Sequence, residues 1–355
     1  MIEDIFSLSP YSLEKKQKEQ FLLHELKNLT TFHQKHCEEY AQLLQSFGYS
    51  DKEYNSLEEF FALPVRLFKH YELKSTDEVI KTLTSSGTTS STVSKIFLDK
   101  PTAMLQTKAL IKIMQDFLSK ERLPMLILDT KAILKDRKKF SARAAGVMGL
   151  SNFGRKHIYA FDEDMNLDID AVLKFQEDYK GERVLLFGFT FMVWKYFYKE
   201  LKKHNLKLSL NKGILFHSGG WKKLQDEAVS DKTFNKAITE QTGIKKIHNF
   251  YGMVEQVGSI FVSCEHGYLH TPNFADILVR DPLTLKPLSF GEEGIIELLS
   301  IIPKSYPGHI LLSEDRGIII GEDDCKCGRR GKYFQVLGRI KEAESRGCSD
   351  TFEGK

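Results

Sequence analysis

The chain has 355 residues, 41% apolar and 28% charged, a make-up that reads as soluble and globular with room for two or three subdomains. Its net charge of +3 comes from 51 basic and 48 acidic residues, a balance that excludes a broad nucleic-acid-binding face. The longest apolar run, residues 184–194, is about half of what spans a bilayer, and the charged N-terminus has no signal-peptide core.

Residues 12–46 carry apolar side chains at helical spacing (Leu13, Phe21, Leu22, Leu26, Leu29, Tyr40, Leu43, Leu44) with neither Pro nor Gly, which predicts an unbroken helix. His33, His36 and Cys37 fall on it. Adjacent Cys and His point to different faces of a helix, so they are read as ordinary helix residues and not as ligands. From about Thr76 the texture changes. Two apolar, strand-like runs, 79–83 and 95–98, flank a segment in which nine of eleven residues, 84–94, are Ser or Thr. An ordinary hairpin needs only two to five turn residues. Small hydroxyls and backbone N–H groups around Gly87 instead form a concavity that favours anions, phosphate above all. Neither the P-loop spacing nor the dinucleotide fingerprint fits it.

Further on, "MLILD" (125–129), "RVLLFGF" (183–189) and "KGILFHSGG" (212–220) read as strands alternating with helices such as 190–205, the pattern of an α/β fold with parallel strands. Phe187, Phe189, Phe191, Trp194 and Phe197 form an aromatic stripe, either core or the lining of an acyl pocket. After Gly267 the pattern turns β-rich: residues 274–300 read as strand, turn, strand. Cys325 and Cys327 form Cys-x-Cys in a turn-like stretch, with Cys264, His266 and His270 about sixty residues upstream. Three cysteines and one histidine would make a closed tetrahedral zinc site. Five cysteines in a chain this long are no disulfide framework, so a reducing cytoplasm is expected. The final residues, 341–355, are polar without periodicity and are expected to be a mobile tail.

Several of these segments together resemble the adenylate-forming superfamily, which activates carboxylates as acyl-AMP. "TSSGTTSSTVSK" is similar to its phosphate loop and "HSGGWKK" (217–223) to its adenine segment. "NFYGMVEQVGS" (249–259) matches its Tyr-Gly-x-x-Glu segment, "LLSEDRGII" (311–319) the segment with the ribose-binding Asp, and "VLGRI" (336–340) its Gly-Arg hinge. The resemblance implies ATP and Mg²⁺. Ser85, Ser86, Gly87, Thr88 and Thr89 would hold the phosphates. Ser218, Gly219, Gly220, Trp221, Asn249, Tyr251 and Gly252 would hold the adenine side, with Tyr251 stacking. Asp315 would take the ribose hydroxyls, Arg339 would mark the hinge, and Glu255 would hold the metal. Lys95 either adds positive charge there or is simply solvated.

Most members continue into a further swinging domain, which this chain is expected to lack in full. It carries Cys348 in "ESRGCSD", nine residues past Arg339. In this it resembles the LuxE-type acyl-protein synthetases, where a cysteine near the C-terminus accepts the acyl group. A thiolate is a good nucleophile toward a mixed anhydride; Arg346 favours that form and Asp350 opposes it. The chain from Arg339 to Cys348 could reach roughly 25–30 Å.

Phenylacetate-CoA ligase-like relatives resemble it too: their cysteine pattern implies structural zinc at Cys264, His270, Cys325 and Cys327, with His266 second choice. The expected organisation is a helical region 1–75, an α/β part 76–215 with the phosphate loop, and a part 216–338 with α/β and β-rich structure and the adenine and zinc sites. A tail, 339–355, follows. The expected activity is ATP-dependent activation of a long-chain fatty acid, transfer to Cys348, then to a reductase or carrier partner. The alternatives are an acyl- or aryl-CoA ligase of the phenylacetate type and a non-catalytic adenylate-fold subunit.

Overall fold

A computed structural model describes residues 2–85, 93–134, 142–221 and 226–340. Ser86, Gly87, Thr88, Thr89 and Cys348 lie outside the described residues. Contacts group the described chain into two compact units. One holds residues 2–117, 251–262 and 268–340, the other 118–250 and 263–267.

The first unit opens with helices Lys15–His36 and Glu38–Ser46. The single helix expected over 12–46 is therefore broken at Cys37, which is extended (φ −135°, ψ 104°). Tertiary packing overrides the local preference. His33 is fully buried, and the second helix must turn to bury Tyr40 and Leu44 as well. Tyr40 then meets the His33 and His309 rings edge-on at 6.2 and 5.7 Å.

His33 Nε2 faces the Pro303 carbonyl at 3.2 Å and Nδ1 faces Ser75 Oγ at 2.8 Å. A carbonyl can only accept, so Nε2 carries the hydrogen and the ring is neutral. Burial pushes its pKa down to about 3, and that of His309, 4.7 Å away ring to ring, well below its usual value. Both take up protons readily when unfolded, near pH 6.5, and resist them when folded. Stability from these rings is therefore whole above about pH 6.5 and falls as the pH drops below it, by about 2 kcal/mol at pH 5 for His33. The urea midpoint should fall between pH 7 and pH 5, and fall less in His309→Gln. An equal fall in both proteins would remove His309 as a cause.

Strand β1 (Leu63–Pro64) precedes β2 (Lys81–Thr84) and β3 (Lys95–Leu98). The last two pair antiparallel, as their apolar runs suggest, with Thr84 opposite Lys95. Beyond the pair Ser85 N–H donates to Ser94 O (3.1 Å), and Ser94 N–H donates to Ser85 Oγ (2.9 Å). These two bonds continue the β2–β3 pairing by one residue on each strand.

In the second unit β4 (Leu123–Thr130), β5 (Gly154–Phe161), β6 (Leu185–Phe189), β7 (Ile214–Ser218) and β8 (Lys246–Tyr251) lie in the order β8-β7-β6-β4-β5. The pairs β4–β5, β4–β6, β6–β7 and β7–β8 are all parallel. All eight residues of β4 are buried, the continuous apolar run of a strand covered on both faces. Helices Ala142–Ser151, Ile169–Asp178 and Asp231–Thr242 flank them. The expected helix over 190–205 is present, but Val193–Tyr198 within it is a π segment. Trp194, Phe197, Leu186, Leu215 and Phe234 meet in this unit's core.

β9 (Phe261–Ser263) precedes Gly267. The β-rich part expected after Gly267 belongs to the first unit and comprises β10 (Leu269–His270), β11 (Ala275–Arg280), β12 (Glu293–Ser300), β13 (Ile310–Glu322) and β14 (Lys332–Arg339). The pairs β11–β12, β12–β13, β13–β14 and β10–β14 are antiparallel; β1 adds to β13 in parallel. Charges inside it are partnered. Lys332 Nζ lies 3.2 Å from Asp276, which Lys18 approaches at 3.6 Å, and Arg280 pairs with Glu297.

Candidate active site

Register brings the first group together. Antiparallel pairing of β13 with β14 sets Asp315 opposite Arg339, whose Nε lies 3.3 Å from Asp315 Oδ1. Tyr251 donates its hydroxyl to Asp315 Oδ2 at 2.7 Å. Burial pushes the Asp315 carboxyl up, while the Tyr251 hydroxyl and the Arg339 charge hold it down. Burial and the Asp315 charge raise the Tyr251 phenol well above its usual value, so it remains a donor. A carboxylate has about four lone-pair sites, and these two contacts leave it able to accept further hydroxyls.

Glu255 sits half-buried on the short turn Val254–Gln256. Burial raises its carboxyl, opposed first by the Ser94 hydroxyl and then by the Lys69 and Arg339 charges among others. Ser94 is fully buried, and its oxygen has no hydrogen bond of ordinary geometry. A carboxylate beside an under-bonded hydroxyl is a donor set of the kind a hard cation such as Mg²⁺ takes, so the residues present fit that ion. A Cβ on Gly252 would stand 3.0 Å from Ile260 Cγ2, so a side chain there would have to push that methyl aside by a few tenths of an ångström.

Lys95 Nζ pairs with Glu72 at 2.8 Å, both side chains largely in solvent. Ser85 is at the loop mouth.

In the second unit the predicted residues lie along the carboxyl edge of the parallel strands, where open α/β sheets bind ligands. Ser218 ends β7, beside Phe250 of β8 and Phe189 of β6. Gly219 follows with φ +84°, a left-handed turn that suits glycine, and Gly220 is exposed. Trp221 packs edge-on against Trp194 at 5.6 Å. Asn249 is on β8, its N–H donating to Ser263 Oγ at 2.8 Å. His217, one residue before Ser218, meets Thr190 Oγ1 at 2.9 Å, and burial, with His248 nearby, pushes its pKa down to about 3. Of the aromatic stripe, Phe187 and Phe197 are fully buried and Trp194 nearly so, while Phe189 and Phe191 are half-buried against the core.

The cysteine reading converges best. Cys264, His270, Cys325 and Cys327 place their donor atoms within 4.8 Å of one another. Among the described residues no other group of His, Cys, Asp and Glu could hold a metal ion in this way. Cys327 Sγ lies 3.3 Å from His270 Nε2. Two tight turns present the thiols: Gly267 N–H donates to Cys264 O and Gly328 N–H to Cys325 O, both at 2.9 Å. Both glycines have positive φ, +82° and +80°. His266 N–H points at Cys264 Sγ (3.4 Å), so His266 contributes its backbone and not its ring. Three thiols and an imidazole, three of the four residues buried, fit a structural zinc ion. His33, His36 and Cys37 form no such group; His36 stacks on Phe32 at 4.2 Å.

Sequence reasoning missed the buried Arg143–Asp129 pair, with Nε to Oδ2 at 2.8 Å, where β4 ends. It also missed that Tyr251 bonds Asp315 directly. Neither pair has a spacing motif that could have announced it.

Two curated proteins are similar over part of the chain. One is the long-chain-fatty-acid–luciferin-component ligase of Vibrio harveyi, 29% identical over 37% of this chain and 34% of its own length. The other is the protein of the same name from Aliivibrio fischeri, 25% identical over 45% of this chain and 42% of its own. The match thus spans less than half the length of either relative. Among solved structures, an open conformation of 2-hydroxyisobutyryl-CoA ligase in complex with 2-HIB-AMP and CoA superposes with a TM-score of 0.72, covering 94% of this chain and 77% of that one. At 14% identity this likeness is one of fold, the mixed α/β arrangement of adenylate-forming ligases. Among the described residues no helix is long and apolar enough to cross a membrane. A family model described as acyl-protein synthetase, LuxE, matches residues 1–355, and the chain belongs to that family.

Proposed function

We propose that this protein activates a long-chain fatty acid with ATP and carries the acyl group on Cys348 to a reductase-like or carrier protein in the cytoplasm. The observation that carries the reading is the contact of Tyr251 and Arg339 with Asp315, three residues drawn from three segments that resemble nucleotide-binding ones. The names of the two Vibrio-type relatives support a long-chain fatty acid as the substrate.

In the first step a carboxylate oxygen of the acid attacks the α-phosphorus of ATP. The bond to the bridging oxygen breaks, pyrophosphate leaves, and acyl-AMP remains. In the second step the Cys348 thiolate attacks the acyl carbon, AMP leaves as the phosphate anion, and a thioester forms. Asp315 accepts the ribose hydroxyls, and Ser85 with the loop residues Ser86, Gly87, Thr88 and Thr89 donates to phosphate oxygens. Ser218, Gly219, Gly220, Trp221, Asn249 and Gly252 border the adenine. Glu255 would hold Mg²⁺, which would supply charge neutralisation for the phosphates. Cys264, His270, Cys325 and Cys327 would hold zinc with no ligand position left for substrate, so that ion would contribute to fold and not to chemistry.

Pure protein given labelled fatty acid and ATP should gain label that neutral hydroxylamine removes. Cys348→Ser should lose that label and keep pyrophosphate exchange. Label reaching only coenzyme A would favour the phenylacetate-type ligase, a reading that the Cys-His-Cys-x-Cys group also supports. No exchange with any carboxylate would leave a nucleotide- or partner-binding subunit.

A further inference from the structure

The turn that carries Glu255 is anchored on both sides by residues with no assigned role. On one side, Gln256 is buried, and its Nε2 donates to Gly308 O at 3.0 Å and Leu298 O at 3.3 Å. On the other, Val257 N–H donates to the Tyr306 hydroxyl at 3.2 Å. Tyr306 is fully buried, its ring held edge-on by Phe68 at 6.1 Å. Residues 306–308 press directly on the turn: a Cβ on Gly308 would come within 2.6 Å of the Glu255 carbonyl oxygen. A three-residue turn has few hydrogen bonds of its own, so its orientation is set by these outside contacts.

We infer that Tyr306 and Gln256 are positioning residues that aim the Glu255 carboxylate at the cation accompanying ATP. The inference rests on the adenylation reading and deepens it. Both side chains are buried and act on Glu255 through the turn. Tyr306 fixes the turn through the Val257 N–H, and Gln256 locks it to the carbonyls at the start of β13 and the end of β12. Removing the Tyr306 hydroxyl leaves the ring packing in place and frees only that N–H, so its effect is selective for aim.

The test is Tyr306→Phe, with Gln256→Met as a second variant. Mn²⁺ is titrated into each protein saturated with α,β-methylene-ATP, and free ion is read by electron paramagnetic resonance. Nucleotide affinity without metal and the thermal midpoint are measured alongside. Tyr306→Phe should bind Mn²⁺ roughly two- to tenfold more weakly, the loss of one neutral hydrogen bond, with metal-free nucleotide affinity unchanged and the thermal midpoint lower by no more than a few degrees. Pyrophosphate exchange should need correspondingly more Mg²⁺ and reach the wild-type rate at saturation. Unchanged Mn²⁺ affinity in Tyr306→Phe overturns the inference. So does a loss of thermal stability that lowers the rate equally at all Mg²⁺ concentrations. Wild-type protein that binds neither nucleotide nor Mn²⁺ overturns the adenylation reading itself.

Discussion

Asp315→Asn should raise the KM for ATP roughly ten- to a hundredfold in pyrophosphate exchange, the worth of hydrogen bonds to a charged acceptor. The substitution keeps the side chain's size and removes its charge. Arg339, about a third exposed, then loses this ionic contact at 3.3 Å. The Tyr251 hydroxyl keeps an acceptor in the amide oxygen, so the packing of β13 against β14 should survive. The amide's nitrogen, however, can no longer accept from a sugar hydroxyl. Exchange measured against ATP concentration at saturating fatty acid reads the effect. A KM within twofold of wild type would remove Asp315 from the nucleotide site.

Loss of the metal group should have the largest effect on stability. Freshly purified protein, kept away from chelators, should carry one zinc per chain by elemental mass spectrometry. Cys325→Ser combined with Cys327→Ser removes two of four donors and should abolish it. The two turns at Gly267 and Gly328 then lose the centre that holds them, and three buried polar side chains lose a common partner. A structural zinc site contributes several kcal/mol, so the thermal midpoint should fall by about 10 °C or more. Because thiols and imidazole must release protons to bind, wild-type protein should shed its metal as the pH falls toward 5. Metal-free protein as purified, or a double variant with unaltered zinc and midpoint, would discard the assignment.

What could be read from the residues alone, and what could not, divides along physical lines. The strands β4, β6 and β7 are continuous apolar runs, and burial on both faces demands such runs, so they were legible. The Cys-x-Cys turn and its upstream partners were legible because thiol ligands require tight, glycine-closed turns. Asp315 and Glu255 came from resemblance, and the structure adds what no pattern carries: the Tyr251 bond, the Ser94 hydroxyl and the anchoring through Tyr306. The break at Cys37 was hidden, since nothing local interrupts the helical spacing; the burial of His33 and Tyr40 imposes it. The π segment at Val193–Tyr198 was hidden for the same reason. Lys95 was readable only as a cation near a loop, because its partner Glu72 lies 23 residues away with no fixed spacing.

The first unit is assembled from chain segments that leave the ribosome far apart in time. Lys18, on the helix Lys15–His36, donates to Thr271 across 253 residues of sequence and lies 3.6 Å from Asp276. Until residues 271–276 have been translated, this cation therefore has neither of those partners. The second unit is nearly continuous, and its parallel strands can pair while synthesis is still under way. Nascent chains of this protein thus carry a lysine destined for the interior without its partners through most of their elongation, a demand on chaperones that arises from chain order and not from the finished molecule.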